Sequence, residues 1–134
     1  MNITYQMNPM ITAAEAQEIY QQSGLTRPED PRKIEQLIKN ATILITARNQ
    51  EGQIVGFLRA FTDFVFDCYL NDLAVHRDYQ RQGIGKQLIN HLYDQLDQDV
   101  MILLVAAPAA IGFYERQGFS NFKRLEDTWY KVKR

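Results

Sequence analysis

The sequence predicts a mixed α/β (α+β) fold, with one mostly antiparallel central sheet flanked by helices. Three observations carry that prediction. The apolar residues recur at helical spacing up to about residue 38 and turn β-rich from residue 43 to 75. Turn signals at Asn49-Gln50-Glu51-Gly52 and at Asp63 separate neighbouring β-rich runs by only a few residues, which makes hairpins. A helical pattern then precedes a continuous apolar run from Val100 to Ala106, the alternation that favours a sheet packed with helices.

The elements follow in order. Ile3 and Tyr5 alternate with polar neighbours, as in a short first strand. Thr12 is placed to cap a helix, and Glu15 three residues on completes a capping box. Gly24 is the stop. Pro31 suits the first turn of a second helix whose apolar face is Ile34, Leu37 and Ile38. Ile43 to Ala47 forms a strand, Ile54 to Phe61 returns, and Phe66 to Val75 makes a third pass. From Gly83 onward Ile84, Leu88, Ile89, Leu92, Tyr93 and Leu96 share one helical face. Val100 to Ala106 reads as a strand covered on both faces. A short helix spans Ala109 to Gln117 and ends at Gly118, and the tail from Phe119 to Val132 offers two short strands. The expected order is β-α-α-β-β-β-α-β-α-β-β.

A length of 134 residues fits one domain, 1–134, large enough to bury about two-thirds of its unfolded surface without metal or disulfide staples. Hydrophobic residues at 46% and charged residues at 23% set disorder aside. A formal net charge of -1 supplies no field that would draw the chain to nucleic acid or an anionic membrane, so neither is expected as a partner. Cys68 is the single cysteine, which forbids an intrachain disulfide and fits a reducing, cytoplasmic setting. No secretory leader is read near Met1, and no stretch approaches the ~18 apolar residues of a membrane span.

Gly83 and Gly85 lie where a strand gives way to an amphipathic helix. Glycine permits positive φ, successive free N–H groups make an anion-sized nest, and the helix dipole favours negative charge. Arg81 and Lys86 add cations. A P-loop needs glycine at position 80, where Gln stands, and a dinucleotide fingerprint needs a small residue at position 88, where Leu stands. A glycine turn that merely opens a core helix fits the same residues.

The run Leu70-Asn71-Asp72-Leu73-Ala74-Val75, followed by Tyr79 to Leu88, resembles the signature of the GNAT superfamily of acyl-CoA-dependent N-acyltransferases. Gln80, Gly83 and Gly85 match its Q/R-x-x-G-x-G/A pattern, and Phe113-Tyr114 with Gly118-Phe119 match a second family element. The resemblance covers the C-terminal half, and it implies the GNAT-like fold with acetyl-CoA as co-substrate and no metal. It implies that backbone groups of Leu73, Ala74 and Val75 align the pantetheine arm, with one N–H polarising the thioester carbonyl. Gln80, Arg81, Gln82, Gly83, Ile84, Gly85 and Lys86 would hold the pyrophosphate. Tyr114 stands where the family keeps its general acid; an aromatic packing residue is the competing reading. Asp72 is the candidate base, against a carboxylate merely bonded to a nearby loop. Arg59, Asp63, Asp67 and Tyr69 are candidates for the acceptor pocket. His76 is read as ending the strand or lying near the coenzyme, His91 as solvent-facing and Cys68 as a small strand residue. Where many relatives carry an asparagine before the Phe-Tyr pair, this chain has Ala106-Ala107-Pro108-Ala109.

Arg59 to Asp63, Asp72, the glycine loop and Trp129-Tyr130 look like the subgroup of plastid arylalkylamine (serotonin-type) N-acetyltransferases, which implies a small primary amine as acceptor. Phe61, Phe64, Phe66 and Tyr69 are either pocket lining or core. A protein lysine or N-terminus is the alternative acceptor, and a non-catalytic acyl-CoA-binding module the alternative of another class. A homodimer through hydrophobic C-terminal strands is a further expectation.

Overall fold

The computed structural model describes residues 2–122 and 125–133. Strand β1 (Thr4–Met7) leads to helices α1 (Ala13–Ser23) and α2 (Pro31–Asn40), then to strands β2 (Ile43–Arg48), β3 (Ile54–Thr62) and β4 (Asp67–Val75). Helix α3 (Ile84–Gln95), strand β5 (Met101–Leu103) and the short helix α4 (Ile111–Arg116) complete the order. The chain divides into two compact units, Met1–Leu104 and Val105–Arg134.

Local chemistry sets the element ends. The Thr12 side chain accepts from the Glu15 N–H while Glu15 reaches back to the Thr12 N–H, so the expected capping box forms. Gly24 closes α1 in the left-handed region at φ 84°. Asp30 caps α2 through the Arg32 N–H, and Pro31 occupies the first turn, where its missing N–H costs nothing.

In the first unit the sheet order is β1-β2-β3-β4-β5. The first three pairings are antiparallel, and β5 joins β4 in parallel. Successive strand residues face opposite sides. Phe57 therefore packs with Ala16, Ile19, Tyr20 and Ile34 under α1 and α2, while Gly56 faces α3, whose Ile84, Leu88, Ile89 and Leu92 are buried. Burying each such aliphatic side chain contributes roughly 1.5–3 kcal/mol. A Cβ built on Gly56 would stand 2.9 Å from Ile84 Cγ2 and 3.1 Å from both Leu88 Cδ1 and Ala47 Cβ. The bare backbone is what lets α3 settle onto the sheet.

The last two strands of the expected order do not form among the described residues. Residues 119–122 and 128–133 are irregular, and Leu125–Asp127 makes one 3₁₀ turn; Lys123 and Arg124, inside the expected strands, lie outside the described residues. Strand β5 is also shorter than expected, and Met101 and Leu103 are half-exposed. Among the described residues it is an edge strand, paired to β4 on one side only. An apolar run reads alike whether one or both faces are covered.

Candidate active site

Strand β4 carries the site. Arg59 pairs with Asp72 and Ala60 with Leu70, so Asn71 is an extra residue in β4, a β-bulge. On the other edge β5 pairs only with Asp67, Cys68 and Tyr69. Among the described residues β4 thus has no strand partner on that edge from Leu70 to Val75, which leaves the Leu73-Ala74-Val75 backbone approachable along one side.

Beyond Val75 the chain is fastened before it reaches the helix. The His76 N–H donates to the Val55 carbonyl at 2.9 Å, and His76 Nδ1 accepts from the Asp78 N–H at 3.1 Å, capping a 3₁₀ turn at Arg77–Tyr79. Gln80 Nε2 donates to the Val75 carbonyl at 3.0 Å. That carbonyl is therefore already in use, and the side chain in the family position of Gln80 braces the loop internally. Arg81 and Gly83 take positive φ, 63° and 87°. Gly83 is the N-cap of α3, with no side-chain cap bond. The first N–H groups of a helix have no intrahelical acceptor, and here no side chain supplies one. An added Cβ at Gly83 would meet nothing within 4 Å. Arg81, Gln82, Gly83 and Lys86 are exposed, whereas Ile84 is buried and anchors the helix start. The segment is an open, cationic, N–H-lined cradle, and it fits a phosphate.

Asp72 belongs to a different arrangement. It is fully buried. Its Oδ2 accepts from the Tyr20 hydroxyl at 2.6 Å and from Arg59 Nε at 2.6 Å, and its Oδ1 from Arg27 Nε at 2.7 Å. Arg27 Nη2 also donates to the Asn71 carbonyl at 3.0 Å, tying the bulge to the loop after α1. Burial alone would raise the Asp72 pKa, but the hydrogen bonds from Arg59 and Tyr20 and the two guanidinium charges outweigh it, and the net shift is downward. Tyr20 moves the other way, pushed up by burial and by the Asp72 charge. A carboxylate with both oxygens occupied and a depressed pKa is a poor proton acceptor. The geometry favours the loop-bonded reading of Asp72 over the base.

The acceptor-side candidates divide. Arg59 is buried beside Asp72. Asp63 builds its own turn: Oδ1 accepts from the N–H groups of Val65, Phe66 and Asp67 at 2.8–3.1 Å, which hold its carboxyl below the ordinary value. Tyr69 is exposed, as are Phe61, Phe64 and Phe66, so these aromatics are not core. Cys68 is buried and its thiol pushed up by desolvation, which keeps it un-ionised near neutral pH. His91 is half-buried against the Tyr5 ring, 4.9 Å between centroids, rather than solvent-facing. The sequence reading missed Tyr20 and Arg27. The available signal was a phenol on the buried stripe of α1 with Ala16 and Ile19, since a buried hydroxyl needs a partner.

In the second unit α4 holds Phe113 and Tyr114. The Tyr114 ring meets Phe113 and Phe119 edge-on, at 5.2 and 5.6 Å between centroids. Burial raises its pKa above the ordinary 10.0, so the phenol keeps its proton at neutral pH. Gly118, at φ 90°, follows the helix as expected. Pro108 opens the preceding 3₁₀ turn, Pro108–Ala110.

The sequence profile of the acetyltransferase (GNAT) family matches residues 11–119. The chain belongs to that family. This GNAT chain is 34% identical over 93 residues to the uncharacterized N-acetyltransferase ycf52 of Pyropia yezoensis, covering 66% of the chain and 53% of that protein. It is 39% identical over 78 residues to the [ribosomal protein bS18]-alanine N-acetyltransferase of Escherichia coli, covering 54% of the chain and 51% of that enzyme. The chain thus spans about half the length of these curated relatives. A GNAT-family acetyltransferase from Streptococcus pneumoniae superposes with a TM-score of 0.79 at 23% identity, covering 98% of this chain and 97% of that one. A ribosomal-protein alanine N-acetyltransferase from Escherichia coli gives 0.68 at 25%, covering 90% and 80%. The expected fold class, a mostly antiparallel sheet flanked by helices, is the one found. Among the described residues no helix is long and apolar enough to cross a membrane.

Proposed function

We infer that this chain transfers an acetyl group from acetyl-CoA to a primary amine, by direct attack within a ternary complex. The observation that carries the reading is the uncapped α3 N-terminus at Gly83, reached from a strand edge that has no strand partner among the described residues from Leu70 to Val75. Gln82 to Lys86, with Arg81, would hold the pyrophosphate through N–H groups and charge, while Gln80 keeps the loop in shape. The backbone of Leu73, Ala74 and Val75 would align the pantetheine, and an N–H there would stabilise the developing oxyanion. Residues 1–134 act as one catalytic domain, a reading supported by a family match that runs continuously from 11 to 119.

The neutral amine nitrogen attacks the thioester carbonyl and gives up a proton to solvent water, the carbon–sulfur bond breaks, and the departing thiolate takes a proton from a phenol that solvent then reprotonates. Tyr114 supplies that proton; its raised pKa keeps it a donor throughout the neutral range. Asp72 has a positioning role. It holds Arg59, Tyr20 and Arg27 together and fixes the bulge. Positioning of the two substrates provides much of the rate, and no covalent enzyme intermediate is needed.

The acceptor we favour is a small-molecule amine, and the reaction is cytoplasmic. A protein N-terminus is the second reading, favoured by the likeness to the bS18-alanine enzyme. Thiol release from acetyl-CoA against small amines and peptides tests the assignment. Release that depends on an amine is the expected result. Tight acetyl-CoA binding without release on any acceptor would instead favour a regulatory binding module.

A further inference from the structure

The buried cluster sets two guanidiniums against one carboxylate. Arg27 and Arg59 both pair with Asp72, and among the described residues neither has a second carboxylate partner. Guanidinium keeps its proton in proteins, and the Tyr20 phenol is neutral, so one positive charge stays uncompensated. The Arg27 side chain is 24% exposed and that of Arg59 only 6%, so water screens the excess incompletely.

The surroundings of that charge are specific. Three rows climb β3 and β4 on the face that carries α1 and α2: Phe57 beside Ala74, Arg59 beside Asp72, and Phe61 beside Tyr69. The first row is closed by the core under α1. The second is met by Tyr20 and Arg27. The third is open: Phe61 is 36% and Tyr69 40% exposed, and Leu103, opposite Tyr69 on β5, is 37% exposed. The Arg59 guanidinium lies over the Phe61 ring, 5.7 Å from its centroid, so the excess charge borders the open row.

We propose that this row is the acceptor subsite and that it takes an α-amino acid with an apolar or aromatic side chain, the carboxylate held by the excess charge of Arg27 and Arg59. The proposal rests on the acetyl-transfer reading and names the acceptor for it. Phe61, Tyr69 and Leu103 supply an apolar platform for the side chain.

The test compares kcat/KM for thiol release from acetyl-CoA across three pairs: phenylalanine against phenethylamine, leucine against isoamylamine, and tryptophan against tryptamine. A short peptide with an N-terminal alanine completes the set. At least one amino acid should exceed its decarboxylated partner and the peptide by on the order of 10- to 100-fold, the range of charge-assisted hydrogen bonds. Arg27→Gln should shrink that ratio to within a few-fold, and Arg27→Lys should restore part of it. Indifference of the wild type to the carboxylate, preference for the amine or peptide, or a ratio unchanged in Arg27→Gln overturns the proposal. The wild-type comparison decides even if Arg27→Gln does not fold. Release with amines but without carboxylate preference removes this inference alone, whereas no release with any acceptor removes the acetyl-transfer reading as well.

Discussion

The glycine loop and the Asp72 cluster stand at opposite ends of one principle, although fewer than ten residues separate them in the chain. The loop from Gln80 to Lys86 is exposed, and its helix start has no side-chain cap. The cluster around Asp72 is buried, with both carboxylate oxygens occupied. The loop keeps its N–H groups open for a ligand, whereas the Asp72 carboxylate has both oxygens spent, and what its cluster has left to offer is guanidinium charge. The difference teaches which residues to credit with chemistry and which with placement.

The largest effect should come from the cluster. Asp72→Asn leaves two guanidiniums without a counter-charge and should cost about 3–5 kcal/mol in chemical denaturation, with acetyl-CoA affinity little altered. Near-native stability together with a lost acidic limb in the kcat/KM profile would return Asp72 to the role of base. Its pH signature is defined as well. The folded pKa lies below the ordinary 3.8, so the contribution is complete above that value and is lost as the pH falls through the lower folded value. Wild type and Asp72→Asn should therefore converge in stability only at strongly acid pH.

Gly83→Asp places a Cβ at a left-handed φ and a negative charge in the cradle. We expect acetyl-CoA affinity to fall on the order of 100-fold by calorimetry, from strain of about 1–2 kcal/mol plus like-charge repulsion. Unchanged affinity would sink the loop assignment. Tyr114→Phe should lower kcat by about 10- to 100-fold while coenzyme binding persists; wild-type turnover in that variant removes Tyr114 from the mechanism. The smallest effect belongs to Asn71, whose Oδ1 is buried without a partner among the described residues. Asn71→Leu should leave stability unchanged or raise it by about 1 kcal/mol. A marked loss would mean that the carbonyl has a bonded role, and a higher acceptor KM at unchanged stability would make it a substrate contact.

What the sequence made legible follows the same division. The capping box at Thr12 and Glu15, the Gly24 stop, Pro31 in the first turn of α2 and the start of α3 at Gly83 are all set within a few consecutive residues, and each formed where expected. The cluster draws Tyr20, Arg27, Arg59 and Asp72 from four separate segments, and no local pattern marks such a meeting. Asp63 and Arg59 read in the sequence as candidates for the acceptor pocket, and only the fold shows that one is tied into its turn and the other into an ion pair. The edges were read least well. The length of β5 and the form of the C-terminal tail depend on whether a neighbouring strand is present, and one chain segment does not announce its neighbours.

Gly56 gives the comparison a further turn. It touches neither coenzyme nor acceptor in any reading above, yet its missing side chain sets the height at which Ile84, the first residue of α3, rests on the sheet. A methyl group there would lift or tilt the helix start by a few tenths of an ångström and carry the row of amide dipoles with it. The altitude of the anion cradle is thus written 27 positions upstream of Gly83. A genetic screen for weakened coenzyme binding should recover Gly56 beside the loop residues, and a repaired binder should carry its second change at Leu88 or Ala47, where space can be returned.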